Sequence, residues 1–499
     1  MADEYVLQIK GLTKAFPGVQ ALDHVDMSVG YGEVHCLVGE NGSGKSTLIR
    51  SVSGSQEFDE GSIVLNGNEY TNLTARQAMN EGVQVIYQDL SLFPQLSVAE
   101  NIAFNWMVRD EVRHIKPRVV AERARHGLEQ LRENLDLDTP VKNLSMAQKQ
   151  IVAIARALVL DAKIIFMDEP TTALTKAEID SLFRIIAGLR EKGIATVFVS
   201  HKLDEVFRVS DNITVIRDGK KIGDFPTGSL DEDSLAYHMT GKNILYTPYE
   251  YSPQSEQPVL EVKNLTREPH YRGLNLQVHA GEIVGITGPL GAGRTEFALS
   301  LFGLNPPESG QILVEGKPIA IDSPETAISA GIALVPEDRH VQGLFQKKAI
   351  EENLTASVLK NVTKWGLVDP VEEQTVANEW FNKLTVKAPS AADNVNSLSG
   401  GNQQRVVIGK WLATKPRLLI LDGPTVGIDV ASKSNIHEIV HELARSGMAI
   451  IIISDEIPEV YKNSSRIVVI RDGAFIYEGN RENTEQEELR TIVEQGVPA

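Results

Sequence analysis

Residues Gly39–Thr47 read GENGSGKST, and residues Gly288–Glu296 read GPLGAGRTE. Both are glycine-rich loops of the kind that turns backbone N–H groups toward phosphate oxygens, but the first carries a lysine, Lys45, where the second carries Arg294. Working outward, VIYQD ending at Asp89 matches LVPED ending at Asp338, with the same offset of 249 residues that separates Lys45 from Arg294. Further on, LSMAQKQ from Leu144 matches LSGGNQQ from Leu398, and IIFMDEPT from Ile164 matches LLILDGPT from Leu418, both offset by 254. Four matches in one order at nearly constant spacing make this a duplicated chain, with five extra residues in the second copy.

At 499 residues the length alone predicts about three domains, whereas the repeat predicts two large ones, each able to bury its own core. The expected boundaries are 6–245 and 259–497, joined by a linker over 246–258 that is rich in Pro, Ser, Tyr and Gln and has no apolar periodicity. Acidic residues number 67 against 49 basic ones, a formal charge of −18 that argues against nucleic acid or an anionic lipid surface held by bulk electrostatics. The basic stretch around Arg118, Arg123 and Arg125 reads as a solvated helix face. Cys36 is the only cysteine, which rules out an intrachain disulfide, and its place in an apolar run predicts a buried strand residue in a reducing cytosol. The longest apolar runs, such as Ala449–Ile453 and Thr196–Val199, fall far short of the ~20 residues needed to span a bilayer. MADEYVLQIK at the N-terminus is no signal peptide. The chain is therefore expected to be soluble, or to meet a membrane only through a partner.

Each half opens with an alternating segment (VLQIKGL, then VLEVKNL from Val259), continues through a strand into a glycine loop, and ends with an apolar strand after a helical stretch. Glu33 to Val38 reads as a buried parallel strand and Gly44 to Val52 as the helix it feeds, the context a phosphate loop requires. Ser97 and Glu100 form a capping box that starts a mostly helical insertion running to about Asn143.

From Gly39 to Ser46, the loop glycines expose N–H groups, Lys45 reaches β and γ oxygens of a nucleotide, and Ser46 offers a hydroxyl to Mg²⁺. The apolar strand Ile164 to Met167 ends in two carboxylates with separate tasks: Asp168 toward the metal, Glu169 toward an attacking water.

With LSMAQ at Leu144 and LSGGN at Leu398 added to these, the sequence resembles the ATP-binding subunits of ABC transporters over nearly its whole length. The fused pair with GRT in the second loop and LSGGNQQ in the second signature is similar to the sugar-import class, the ribose, galactose and xylose type. The resemblance implies an α/β fold: two tandem P-loop ABC ATPase domains, each with a mixed or parallel sheet core, a β-subdomain and a helical subdomain. It implies ATP and Mg²⁺ as ligands. Phe16 would stack on adenine, and Gly39, Glu40, Asn41, Gly42, Ser43, Gly44, Lys45, Ser46 and Thr47 would hold the phosphates. Ser46, Gln88 and Asp168 would attend the metal, with Gln88 also sensing the membrane subunit, while Glu169 and His201 would act at the γ-phosphate.

In this family each site pairs the glycine loop of one half with the signature of the other. The resemblance thus places Ser399, Gly400 and Gly401 opposite Lys45, a site with every part. The opposite site would combine Arg294, Glu337 for Gln88, Gly423 for Glu169 and Asp455 for His201 with a signature in which Ala147 replaces a glycine. Little hydrolysis is expected there, although Asp422 and Thr295 are available to a metal and Arg294 can bind phosphate bidentately. Phe16 aligns near Pro269, with Tyr271 as the candidate aromatic of the second half. The expected function is the energy-coupling ATPase of a bacterial sugar importer on the cytoplasmic face of the cell membrane. Its partners would be membrane-spanning permease subunits, in two copies, and indirectly an extracytoplasmic sugar-binding protein. Two rivals are a twin-ATPase translation factor on the ribosome, which the acidity and short linker oppose, and a nucleotide-binding scaffold without turnover.

Overall fold

The computed structural model describes residues 4–110, 116–171, 174–200, 202–241, 248–252, 255 and 257–496. The chain divides into two compact units, Met1–Ile244 and Leu245–Ala499. Each is built on a six-stranded sheet of the same order. In the first unit the strands run Lys220–Pro226, Asn212–Arg217, Val34–Val38, Ala195–Val199, Ile164–Asp168 and Val83–Ile86. In the second they run Ala474–Asn480, Arg466–Arg471, Ile283–Thr287, Ala449–Ile453, Leu418–Asp422 and Ile332–Val335. Neighbours are parallel except for the outermost hairpin of each sheet. Strands such as VHCLV, ATVFV and AIIII are buried at every position because both sheet faces are covered. Cys36 is fully buried in one of them, and burial pushes its thiol up to about 12, so it is chemically inert.

A four-stranded antiparallel sheet flanks each core: Val19–Gly30, Tyr5–Phe16, Glu60–Leu65 and Asn68–Tyr70 in the first unit, and Tyr271–Val278, Leu260–Arg267, Ser309–Val314 and Lys317–Pro318 in the second. The expected capping box is present. Ser97 Oγ accepts from the Glu100 N–H and starts the helix Val98–Arg109. Pro117 opens the next helix, Pro117–Leu131, and both pack on the helix Met146–Leu158 through Ile102, Trp106, Leu128 and Val152. Arg118, Arg123 and Arg125 lie on the exposed face, with the Arg123 guanidinium 4.6 Å from the Trp106 ring.

Part of the stretch expected to be linker is built into the second unit. Tyr249 is buried, its hydroxyl donates to the Gly281 carbonyl at 2.6 Å, and its ring lies 5.2 Å from that of His441. Tyr251 packs against the same core, and two isolated aromatics create no periodicity, so composition alone could not separate them from the connecting residues.

His441 is held neutral. Burial, reinforced by His437 and Arg445, pulls its pKa from 6.5 down to about 4. As the pH falls from 6.5 toward 4, the unfolded chain binds this proton while the folded one does not, so the second unit loses stability across that window. The urea midpoint of the second unit is expected to drop through this range, and His441→Asn to flatten the drop.

Candidate functional site

In the first unit the strand Val34–Val38 runs into the glycine loop, and the helix Lys45–Val52 leaves it. Gly44 caps that helix in the left-handed region, φ 107°, and a Cβ there would sit 2.4 Å from the Ala21 carbonyl oxygen. Only glycine closes this turn. No side chain caps the helix, which leaves its first N–H groups for an anion. Lys45 is buried across the loop, its Nζ donating to the Gly39 and Glu40 carbonyls at 2.8 Å each. Ser43 Oγ is buried without a hydrogen-bond partner. Asn41 and Gly42 face solvent on the same short loop, and Ser46 faces solvent in the first turn of the helix.

The two carboxylates follow from the end of a strand. Asp168 closes Ile164–Asp168, and Glu169 turns off it with φ 48°, its N–H donating to the Val199 carbonyl at 3.0 Å. A left-handed backbone is uncommon for a residue bearing a side chain and marks a position held by its surroundings. Burial pushes the Asp168 carboxyl upward, the Glu169 charge adds to it, and Lys45 and Arg50 oppose it. Gln88 and Glu169 line one cavity of about 160 Å³, together with Met146, Gln150 and Pro170. Phe16, at the end of its strand, is 41 % exposed and offers an open ring face, with Lys14 Nζ 5.6 Å from its centroid. His201 lies outside the described residues.

The two signature segments differ at their helix starts. Ser145 caps Met146–Leu158 with a full capping box, accepting from the Gln148 N–H at 3.3 Å. Ser399 does not cap Gly400–Leu412; its Oγ accepts instead from the Asn402 side chain at 3.0 Å, leaving the helix N–H groups uncapped by any side chain. Gly401 is sterically required, because a Cβ there would lie 2.4 Å from Ser432 Oγ.

In the second unit the loop geometry survives while the chemistry changes. Gly293 caps the helix Arg294–Leu301 with φ 99°, as Gly44 does in the first unit. Arg294 has a buried guanidinium nitrogen without a partner. Burial pushes Asp422 up to about 6, against a hydrogen bond from Thr295 and with the Glu337 charge adding to the rise. Gly423 copies the backbone of Glu169, with φ 54° and its N–H on the Ile453 carbonyl at 2.8 Å, but has no carboxylate. Glu337 and Asp455 are exposed. Tyr271 is not an available aromatic: it is fully buried, edge-on to Phe297, with its hydroxyl donating to Ser300 Oγ at 2.6 Å. The expectation that it replaces Phe16 fails because its alternate-residue position points into the core.

The model of the ABC transporter family matches the chain twice, over residues 22–172 and 271–426. The chain belongs to the ABC transporter family. It is 42 % identical over 468 residues to the ribose import ATP-binding protein RbsA 2 of Rhizobium johnstonii, covering 94 % of this chain and 91 % of that protein. It is 39 % identical to a putative ribose/galactose/methyl galactoside import ATP-binding protein of Pseudomonas fluorescens, covering 98 % and 95 %. Among solved structures, an ATP-binding cassette of an ABC transporter in its ADP conformation matches with 27 % identity and a TM-score of 0.43, over 48 % of this chain and 100 % of that one.

Three features of these ABC cassettes escaped the sequence reading. Met146 stands where the second signature has Gly400, so the altered signature differs by a bulky, 38 % exposed side chain as well as by Ala147. The letters contained that signal. Arg156 donates to the Leu90 and Ser91 carbonyls at 3.0 and 2.8 Å, tying the loop after Gln88 to the signature helix. In the second cassette, Lys410 does the same to the Gly343 carbonyl at 2.5 Å, and burial pulls its pKa down to about 8. Nothing in the sequence flags these ties, because a basic residue on a helix face reads as solvated.

Proposed function

We propose that the chain is the ATP-hydrolysing, energy-coupling subunit of a bacterial importer for a monosaccharide or related polyol. The observation that carries the reading is the cavity shared by Gln88 and Glu169 in the unit that bears the Lys45 loop, set against Gly423 in its counterpart. The relatives named as ribose import ATP-binding proteins support the sugar class. They lend nothing to a ribosomal role.

Hydrolysis is assigned to the first unit. Gly39, Glu40, Asn41, Gly42, Ser43, Gly44, Lys45, Ser46 and Thr47 cradle the phosphates, Phe16 stacks on the base, Glu169 orients and deprotonates the attacking water, and His201 contacts the γ-phosphate. Ser399, Gly400 and Gly401 are the signature assigned to ATP, and their helix start, with no side-chain cap, suits a phosphate. Ser46, Gln88 and Asp168 are the residues that would hold Mg²⁺. The upward push on the Asp168 carboxyl is what an added cation would relieve, and among the described residues no cluster of three acidic, histidine or cysteine side chains competes for a metal. Bound there, Mg²⁺ would neutralise charge on the phosphate oxygens.

No helix among the described residues is long and apolar enough to cross a membrane. Coupling then requires membrane-spanning permease subunits, two per transporter, with a sugar-binding protein acting through them. The chain would sit peripherally on the cytoplasmic face of the cell membrane. The test is phosphate release by the complex assembled with its permease, stimulated by the loaded binding protein. Gly423→Glu is expected to leave turnover unrestored when combined with Glu169→Gln. A Cβ at Gly423 lies 3.0 Å from both Glu337 Cγ and Val426 Cγ2, and the new charge would enter beside Asp422 and Glu337.

A further inference from the structure

We infer that Glu205 is a positioning residue for hydrolysis, clasping the turn after Glu169, at Thr171, to the strand end at Ser200. The inference rests on the assignment of Glu169 as the base. Glu205 is 2 % exposed in the first turn of the helix Leu203–Val209. Its Oε2 accepts from Thr171 Oγ1 at 2.6 Å and from Ser200 Oγ at 3.1 Å, and its Oε1 lies 3.2 Å from Lys202 Nζ. Ser200 Oγ in turn accepts from the Lys202 N–H at 3.1 Å.

The clasp sits where the sheet stops. The strands Ile164–Asp168 and Ala195–Val199 pair in parallel, with Asp168 opposite Val199, and the Glu169 N–H to Val199 carbonyl bond follows directly. Beyond it, the Thr171 and Ser200 hydroxyls meet on one carboxylate oxygen. A buried carboxylate is costly unless its oxygens are satisfied, and here hydroxyls from both loops and an ammonium supply the partners. The left-handed backbone of Glu169 lies two residues before one anchor, and His201 is next to the other.

The second unit has a related clasp, its two hydroxyls on separate carboxylate oxygens, around residues without that chemistry. Glu459 accepts from Thr425 Oγ1 at 2.7 Å and Ser454 Oγ at 2.6 Å, between Gly423 and Asp455, and adds His437 Nε2 at 2.8 Å. Glu459 is thus a built-in control: a similar clasp, with no base to aim.

The experiment is steady-state ATP hydrolysis by the full chain in its assembled transporter, with thermal melting of each variant. Glu205→Ala should lower kcat by about tenfold or more with KM for ATP within about threefold, since misplacing a catalytic group costs turnover rather than binding. Glu205→Gln should recover most of that loss, because one amide oxygen can still accept both hydroxyls. Thr171→Val, near-isosteric, should lower kcat by roughly threefold or more, and it decides the matter if Glu205→Ala does not fold. Glu459→Ala should change kcat by less than about twofold. Wild-type kcat in Glu205→Ala or Thr171→Val, a loss confined to KM, no recovery in Glu205→Gln, or an equal kcat loss in Glu459→Ala overturns the inference. Glu169→Gln in the same assay separates the two claims. Activity in that variant undoes the base assignment, whereas its inactivity beside wild-type turnover in the Glu205 and Thr171 variants undoes the clasp alone.

Discussion

Glu169→Gln is expected to lower ATP turnover by about 10²-fold or more while leaving ATP bound. The amide keeps the size of the carboxylate and can occupy the same left-handed backbone, φ 48°, so the loop and its bond to the Val199 carbonyl should persist. What disappears is the acceptor for the proton of the attacking water. The same substitution removes the charge that raises Asp168 and that would repel the phosphates, so nucleotide affinity should hold or improve. Single-turnover phosphate release and equilibrium nucleotide binding, measured side by side, check both halves of the expectation. Near wild-type release would mean that the base lies elsewhere.

Lys45→Ala should abolish both binding and turnover through the first site, whereas Arg294→Ala should cost turnover much less. Lys45 is a buried ammonium that donates to two backbone carbonyls of its own loop, Gly39 and Glu40. Phosphate oxygens are stronger acceptors than these carbonyls, and charge-assisted bonds contribute about 1.5–3 kcal/mol each. Two of them correspond to roughly 10²–10⁴-fold in affinity. Arg294 stands beside Asp422, and Gly423 supplies no carboxylate in the place of Glu169, so removing Arg294 should empty the second site of nucleotide and lower turnover by no more than about threefold. Equal and complete loss of phosphate release in both variants, with folding intact, would overturn the division of labour between the two units.

Much of this protein was legible in its letters. Two glycine loops in register with two signatures and two strand-end acidic positions established the duplication and the ABC fold, because each motif is local: its backbone turns and its phosphate chemistry lie within a few consecutive residues. The expectation of two unequal sites came from the same letters, Lys45 against Arg294 and Glu169 against Gly423. Cys36 as a buried strand residue and Ser97 with Glu100 as a helix start were equally local readings.

Three dimensions decided what depends on residues distant in the chain. Tyr249 became part of a core through Gly281 and His441, and Tyr271 turned inward onto Ser300. Arg156 reached back to the loop after Gln88, and Glu205 gathered hydroxyls from two strand ends. Sequence carries periodicity and motif spacing, which report what one segment does with its own backbone. A hydrogen bond or a buried ring between segments depends on which strand ends the sheet places side by side, and only the folded chain brings those ends within reach of each other.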